Sequence, residues 1–457
     1  MSVLKLSEVQ KDNESKRIDS EFFKKEYFDA METMQLNQVE YLGDNMKFNS
    51  RYSQPKYDET SKIKVINSQY IRNEYIDYEN AKSGYGKIVP KESVLINATG
   101  VGTLGRVFIN ILDFDFSIDS HINVIVVKNK TYLNPYFLAI FLQSYYGQIQ
   151  IIRYYSGTSG QIEIYPRDFN YFKIPIFPME FQLEIQNLVK DSHKALEESK
   201  ELYKKAEETL YLELGLDPKN PLQSLLDSKT NNPTNSPNIS IHTLKESFLK
   251  TGRLDSEYYQ SKYEDIEKFI KSYPNGYDSF SSIINNKDTN FTPKNNENYS
   301  YIELANIGNN GNISEPISDL GKNLPTRARR IVSKGDVIIS SIEGSLSSCA
   351  LITQEFDKHL VSTGFFVLNS KLLNGETLLV IFKSQIFQEY LKKFPSGTIL
   401  CAINKEELSK ILIPKIDSTT QEKIAKYIQE SFNLRKKSKQ LLDNAKIKVE
   451  EQIQGKI

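Results

Sequence analysis

Three features of this chain have residue types that could serve catalysis or cofactor binding, and none holds up. Gly100-Val101-Gly102-Thr103-Leu104-Gly105 has the spacing G-x-G-x-x-G, in which glycines let a backbone approach a pyrophosphate. That mechanism needs a helix N-terminus beneath the phosphates. Arg106 to Ile111 reads as a strand instead, so a tight strand–strand turn is expected. The matching stretch Glu343 to Ser348 keeps a single glycine. The four histidines, His121, His193, His242 and His359, show no ligand spacing with Cys or acidic residues, so no metal site is expected. Cys349 and Cys401 lie in no nucleophile motif.

What remains is hydrogen-bond donors on loops. Thr326-Arg327-Ala328-Arg329-Arg330 places three arginines just before a strand, and arginine suits both phosphate contacts and bidentate readout of guanine. Arg51, Tyr52 and Lys56 give a similar mixture early in the chain. Arg106 follows the glycine turn, with Thr103 and its counterpart Ser345 on the two turns themselves. Ser156-Gly157-Thr158 and Ser396-Gly397-Thr398 offer hydroxyl and backbone donors to phosphate. A few surface arginines are usually only solvated charge, so the argument favours these regions over any single residue.

Composition bounds the rest. The 457 residues suffice for two or three domains, and the formal net charge is zero, which by itself gives no support for a nucleic-acid partner. Two cysteines imply no disulfide framework and fit a reducing cytoplasm. The start lacks the apolar core of a signal peptide, and no apolar run approaches the roughly 20 residues that span a bilayer. A cytoplasmic protein with no membrane contact is expected.

These donors sit on a duplicated frame. Arg17-Ile18-Asp19-Ser20-Glu21-Phe22-Phe23 returns as Arg253-Leu254-Asp255-Ser256-Glu257-Tyr258-Tyr259. Lys87 to Lys91 returns as Arg330 to Lys334, Gly102-Thr103-Leu104 as Gly344-Ser345-Leu346, Ser-Gly-Thr as Ser-Gly-Thr, and Ile174-Pro175 as Ile413-Pro414. The order is the same both times, which makes this a tandem pair rather than a solenoid. Ser93 to Asn97, Val107 to Ile111 and Ile122 to Val127 read as strands, with helices expected from Pro135 to Tyr146 and from Glu376 to Phe387. The expected layout is α+β: a mixed, β-rich domain over 1–180, a helix over 181–215, a proline-bearing linker over 216–239, a second mixed domain over 240–417 and a second helix over 418–457.

Both helices carry one stripe at alternating spacings of four and three. In the first it holds Ile185, Val189, Ser192, Leu196, Ser199, Tyr203, Ala206 and Leu210. In the second it holds Ile424, Ile428, Ser431, Arg435, Ser438, Leu442, Ala445 and Val449. Small residues recur at alternate layers and allow two helices to approach closely, so a coiled-coil-like pair is expected. The plain alternative is that each helix covers its own domain.

The chain resembles a specificity subunit of a Type I restriction–modification system over almost its whole length. The resemblance rests on the tandem architecture, on Tyr301-Ile302-Glu303-Leu304-Ala305-Asn306-Ile307 followed by Pro325 to Arg330 and Gly335-Asp336-Val337-Ile338, and on Ser-Gly-Thr, Ile-Pro and a Gln-led helix in each half. The first copy departs from it at Ser83-Gly84-Tyr85-Gly86-Lys87, where the second has Thr326 to Arg330. The resemblance implies two target recognition domains, each reading half of a split double-stranded DNA site, on antiparallel spacer helices. It also implies that the chain is non-catalytic and holds no cofactor. Two partner methyltransferase subunits would methylate adenine with S-adenosylmethionine, and translocating nuclease subunits could join for cleavage. A helix of about 31 residues is roughly 46 Å long, more than one B-DNA turn of roughly 34–36 Å. Two other classes compete: a protein-interaction scaffold with two tandem binding domains, and an enzyme using the Gly100–Gly105 turn.

Overall fold

The computed structural model describes residues 16–157, 160–227, 241–397 and 401–456, together with Val9 and Asn13. The chain divides into two compact units. One comprises Met1–Glu197 with Leu434–Ile457, the other Glu198–Asn433. Each unit is a mixed α+β body, and the second repeats the plan of the first.

In the first unit an antiparallel sheet runs in the order Met46–Arg51, Ile122–Val127, Val94–Asn97, Val107–Ile109. Its inner strands are apolar on both faces because both faces are covered. Successive side chains point to opposite sides. Val94, Ile96, Val107, Ile109, Ile125 and Val127 therefore pack toward the helices, while Leu95, Phe108, Ile122 and Val124 pack with Ile66, Phe116 and Ile118 of a second sheet. That second sheet has the order Lys56–Tyr57, Lys82–Tyr85, Lys64–Ile66, Phe116–Ile118, with its last two strands parallel. A two-stranded ladder, Val39–Tyr41 with Lys173–Pro175, holds the Ile-Pro segment.

The second unit has the sheets Ile284–Asn286, Phe365–Ser370, Val337–Ser340, Cys349–Leu351 and Ile317–Leu320, Asn298–Ile302, Leu360–Ser362, Ala328–Ile331. The same alternation sends Val337, Ile339, Cys349, Phe366 and Leu368 to the helical layer, and Ile338, Ala350, Phe365 and Val367 to the second sheet. Ile122–Val127 has the expected bounds, while Val94–Asn97 and Val107–Ile109 fall slightly inside theirs. Val107–Ile109 stops where the Asn110 side chain donates to the Pro90 carbonyl at 2.9 Å and accepts from the Leu112 N–H at 3.3 Å.

The expected helices at 135–146 and 376–387 each prove to be two. They are Pro135–Gln143 with Tyr145–Tyr154, and Gly375–Lys383 with Gln385–Leu391. Ser144 and Ser384 break them. Each takes an extended backbone and returns its hydroxyl to a carbonyl of the preceding turn, Phe141 at 2.6 Å and Ile381 at 2.7 Å, in the manner of a cap residue.

The long helices run Met179–Glu213 and Ser418–Ile453. The glutamine that leads each one pins its first turn. Gln182 donates to the carbonyls of Phe177 (2.8 Å) and Tyr132 (3.0 Å) and accepts from the Asn134 N–H (2.7 Å). Gln421 repeats this with Ile416 (2.9 Å), Leu372 (3.0 Å) and the Asn374 N–H (2.9 Å). Ile185, Val189, Ser192, Ser199, Ala206, Ile424, Ile428, Ser431, Ser438 and Ala445 are all buried. Within the first unit the Ser192 hydroxyl meets the Ser438 hydroxyl and carbonyl, both at 2.9 Å. Within the second the Ser199 and Ser431 hydroxyls lie 3.1 Å apart, and Ser431 donates to the Ser199 carbonyl at 2.7 Å. These partners run in antiparallel register. The far end of each helix completes the other copy's core: Leu442, Ala445, Val449 and Ile453 belong to the first unit's core, and Tyr203, Ala206, Leu210 and Tyr211 to the second's.

Candidate nucleic-acid interface

The Gly100–Gly105 segment is a turn between the antiparallel strands Val94–Asn97 and Val107–Ile109, with positive φ at Gly100, Gly102 and Gly105. A strand follows it rather than a helix, so it lacks the helix N-terminus that a pyrophosphate cradle requires. Its tip is open, with Val101 68% exposed.

Around this turn the sheet ends of the first unit gather segments that are distant in sequence. The Ser156-Gly157 segment forms a short hairpin stem through the Ser156–Glu163 bridge, and Glu163 bridges onward to Thr99. Gly157 has φ +113, and a Cβ there would stand 2.0 Å from the Gln161 carbonyl, so only glycine fits the stem. The Gly100 N–H donates to Ile162 at 3.0 Å and the Ile164 N–H to Ala98 at 2.9 Å, which ties stem and turn together. His121 Nδ1 lies 3.0 Å from the Thr99 hydroxyl, and Ser120 donates to Gln54 at 3.1 Å. Thr103 donates to the Thr99 carbonyl at 2.8 Å. Ser156, Thr103 and Arg51 thus converge around Glu163 and Thr99.

Several of the expected contact residues are held inside the unit. Arg51 is paired with the Glu163 carboxylate and the Ile164 carbonyl, and its guanidinium lies 5.7 Å from the Tyr165 ring. That pairing holds the Glu163 carboxyl below its ordinary value. Tyr52 is buried, which raises its phenol, and Lys87 sits over its ring at 4.7 Å. Arg106 donates to the carbonyls of Gly102 (2.8 Å) and Ile71 (3.3 Å); burial first, then the like charge of Arg72, lower its pKa. Lys56 is exposed on the edge strand of the second sheet. Arg167 went unnoticed in the sequence. Its side chain is 79% exposed and its guanidinium lies 5.3 Å from the Tyr165 ring. The Tyr-Pro-Arg order after the stem was the available signal.

The second unit repeats the scaffold with different side chains. Ser396 bridges Ala402, which bridges Ile342 at the end of Val337–Ser340. Ser345 shares a 2.8 Å hydrogen bond with Ser340. Thr326 and Arg327 are exposed. Arg329 donates to the Thr326 carbonyl at 2.8 Å and to Thr292 at 3.1 Å. Arg330 is bound to the Phe365 carbonyl, and burial lowers its pKa. Thr158 and Thr398 lie outside the described residues.

Ser83–Lys87 is not the structural counterpart of Thr326–Arg330. Ser83 to Tyr85 lies on the strand Lys82–Tyr85, which pairs antiparallel with Lys64–Ile66 as Ile317–Leu320 pairs with Asn298–Ile302. In the first unit Gly86 and Lys87 alone separate that strand from Ile88, which bridges Ser117. In the second, residues 321–327 intervene before Ala328–Ile331. Of the three arginines expected before this strand only Arg327 precedes it, on a loop that is an addition in the second copy, while Arg329 and Arg330 stand on the strand Ala328–Ile331 itself.

Among the described residues, no group of three or more His, Cys, Asp or Glu is placed to hold a metal ion. No helix among them is long and apolar enough to cross a membrane.

Residues 29–208 match the family model for the Type I restriction modification DNA specificity domain. A stretch of 129 residues is 29% identical to the Type I restriction enzyme HindI specificity subunit of Haemophilus influenzae, covering 27% of this chain and 28% of that protein. The match thus spans little more than a quarter of that relative. Aligned with the crystal structure of a Type-I restriction-modification system S subunit from M. genitalium, the chain is 13% identical, with 92% of this chain and 95% of that one covered and a TM-score of 0.42. For the HsdS subunit from Thermoanaerobacter tengcongensis the values are 14%, 92%, 97% and 0.28. The first half of the chain thus resembles a Type I restriction–modification specificity domain, and the second half repeats its two-sheet plan.

Proposed function

We propose that the chain reads a bipartite double-stranded DNA site, one part through each unit, and positions two methyltransferase subunits that modify adenine with S-adenosylmethionine. Cleavage, where it occurs, belongs to translocating nuclease subunits. The chain itself supplies recognition and no chemistry, and it works in the cytoplasm. The observation that carries the reading is the repeated strand-end surface: in each unit a Ser-Gly stem is bridged to the turn or segment that ends a central strand. Two such surfaces with different side chains suit two different half-sites. In the first, Ser156 and Arg167 are the exposed donors; in the second, Thr326 and Arg327. Zero net charge fits a complex whose partners share the neutralisation of phosphate.

The test is reconstitution of the full chain with its methyltransferase subunits, mapping of methylated adenines, and measurement of DNA affinity against salt. Affinity should fall steeply with salt and methylation should fall on one interrupted sequence. Arg327→Ala should weaken binding by about 1 kcal/mol or more, with Lys334→Ala as an exposed control away from the proposed surface. Salt-independent behaviour with no methylated sequence would instead favour a protein-interaction scaffold. Unchanged affinity and methylation in Arg327→Ala would exclude the added loop from the DNA face.

A further inference from the structure

The repeated motif Arg-x-Asp-Ser-Glu is not explained by either the helices or the DNA-facing loops, and its geometry is the same in both units. Arg17 Nε donates to Asp19 Oδ2 at 2.7 Å and Nη2 to Oδ1 at 2.9 Å. Arg253 donates to Asp255 through the same atoms at the same two distances. The Asp19 and Asp255 carboxylates also accept the N–H of Phe22 and Tyr258, each at 3.1 Å. So oriented, each guanidinium faces a helix end. Arg17 Nη1 donates to the carbonyls of Arg153 (3.1 Å) and Tyr155 (3.0 Å). Arg253 donates to those of Phe394 (3.2 Å) and Pro395 (2.8 Å).

Those carbonyls immediately precede Ser156 and Ser396. Each serine opens a hairpin stem: Ser156 exchanges two 2.8 Å hydrogen bonds with Glu163, and Ser396 exchanges bonds of 3.0 and 3.1 Å with Ala402. In the second unit Arg253 also reaches the far side of the stem, with Nη1 3.9 Å from the buried Glu407 carboxylate. In the first unit Asp168 is the matching acid, and the charge of Arg17 acts on it. One residue per unit therefore grips the backbone that leads into the stem.

We infer that Arg17 and Arg253 are positioning residues for DNA reading, each fixing the stem of its own unit's Ser-Gly loop against the strand ends. The inference rests on the DNA-reading role proposed above. Neither arginine touches DNA in this account; each acts through backbone carbonyls. The function needs a planar fork with two sets of donors, one for the aspartate and one for the carbonyls. Lysine keeps the charge and cannot serve both sets.

The experiment uses the full chain assembled with its methyltransferase subunits, as wild type, Arg17→Lys and Arg253→Lys. Amide hydrogen exchange is read at the stems, and methylation is read on cognate DNA and on DNA altered in one half-site. Exchange at Ser156 and Glu163 should quicken by about tenfold in Arg17→Lys, with the amides of Ile122–Val127 unchanged. Exchange at Ser396 and Ala402 should quicken only in Arg253→Lys. Each variant should tolerate altered bases in one half-site and still reject them in the other. Unchanged stem exchange overturns the clamp whatever the DNA results are. Quickened exchange with discrimination lost equally in both halves, or in neither, overturns the positioning role. Wild-type protein that methylates no defined sequence would instead defeat the DNA-reading proposal, while the exchange data still decide the clamp. A variant that unfolds is recognised by quickened exchange in its own unit's central strand, Ile122–Val127 for Arg17→Lys and Phe365–Ser370 for Arg253→Lys; Asp19→Asn and Asp255→Asn, which keep size and shape, then carry the same comparison.

Discussion

At equivalent positions, on the edge strand in the first unit and just past its end in the second, the two units carry opposite charges. Asn49 and Asn286 both lie across from the residue that faces the first residue of the Val94 or Val337 strand, and two residues on stand Arg51 and Asp288. Arg51 is paired with Glu163, and Asp288 with Lys405. A shared backbone thus carries an ion pair at the same place in both units, with the cation and the anion exchanged. The sequence shows where guanidiniums are but not whether they are free. Arg51 finds its carboxylate 112 residues away and Arg330 its carbonyl 35 residues away, separations that no local pattern encodes. Exposure at the thiols is likewise a tertiary property. Cys349 is fully buried under the helical layer, and burial pushes its thiol up to about 12. Cys401 is partly exposed, and its Sγ donates to the Gly397 carbonyl at 3.0 Å. The thiolate is the reactive form. Native protein should therefore consume one equivalent of a thiol reagent, at Cys401, and two after denaturation. Peptide mapping checks the site, and native labelling of Cys349 would contradict its burial.

At the scale of elements, the stripes of the long helices were legible because period and residue size act locally. Ser192, Ser199, Ser431 and Ser438 stand on the expected faces. Matching residues in the two copies are not the ones that touch, however: an antiparallel pair brings Ser192 to Ser438 and Ser199 to Ser431. The split of each expected helix at Ser144 and Ser384 was not legible, since the apolar run continues through the break. The hydroxyls at the helix pair do two things. They satisfy each other and a carbonyl in a buried seam, and they leave room for the backbones to approach. Removing a hydroxyl tests the first and adding bulk tests the second. Ser199→Ala should cost about 1 kcal/mol. Ser199→Leu should cost more, about 1–3 kcal/mol, through overpacking. Urea unfolding of the two variants checks the order. A leucine variant as stable as wild type would mean that the seam has slack and that small residues there are not required by packing.

At the scale of the whole chain, each repeat is finished by the other repeat's helix. The sequence gives the boundaries of a tandem pair, but contacts divide it differently: Leu434–Ile457 belongs with Met1–Glu197. The reason lies in the ends of the long helices, whose apolar positions continue past the paired serines. Leu442, Ala445, Val449 and Ile453 are 6%, 0%, 0% and 0% exposed, and all four join the core that contains Phe22, Phe137 and Ile174. The Asn37 side chain donates to the Ile453 carbonyl at 2.9 Å, and Glu450 accepts the Tyr145 N–H at 2.7 Å. Burying a leucine, valine or isoleucine contributes about 1.5–3 kcal/mol each, so losing three of them removes about 5 kcal/mol or more. A domain holds about 5–15 kcal/mol in total. Ending the chain after Asn433 should therefore destabilise the first unit severely while leaving every residue of the second in place. Limited proteolysis should cut within 17–175 and spare 241–397. The full-length double variant Val449→Asp and Ile453→Asp should show the same pattern without shortening the chain. If 17–175 resists protease as well in the shortened chain as in the full one, the first unit closes its own core and the last helix is only an attachment.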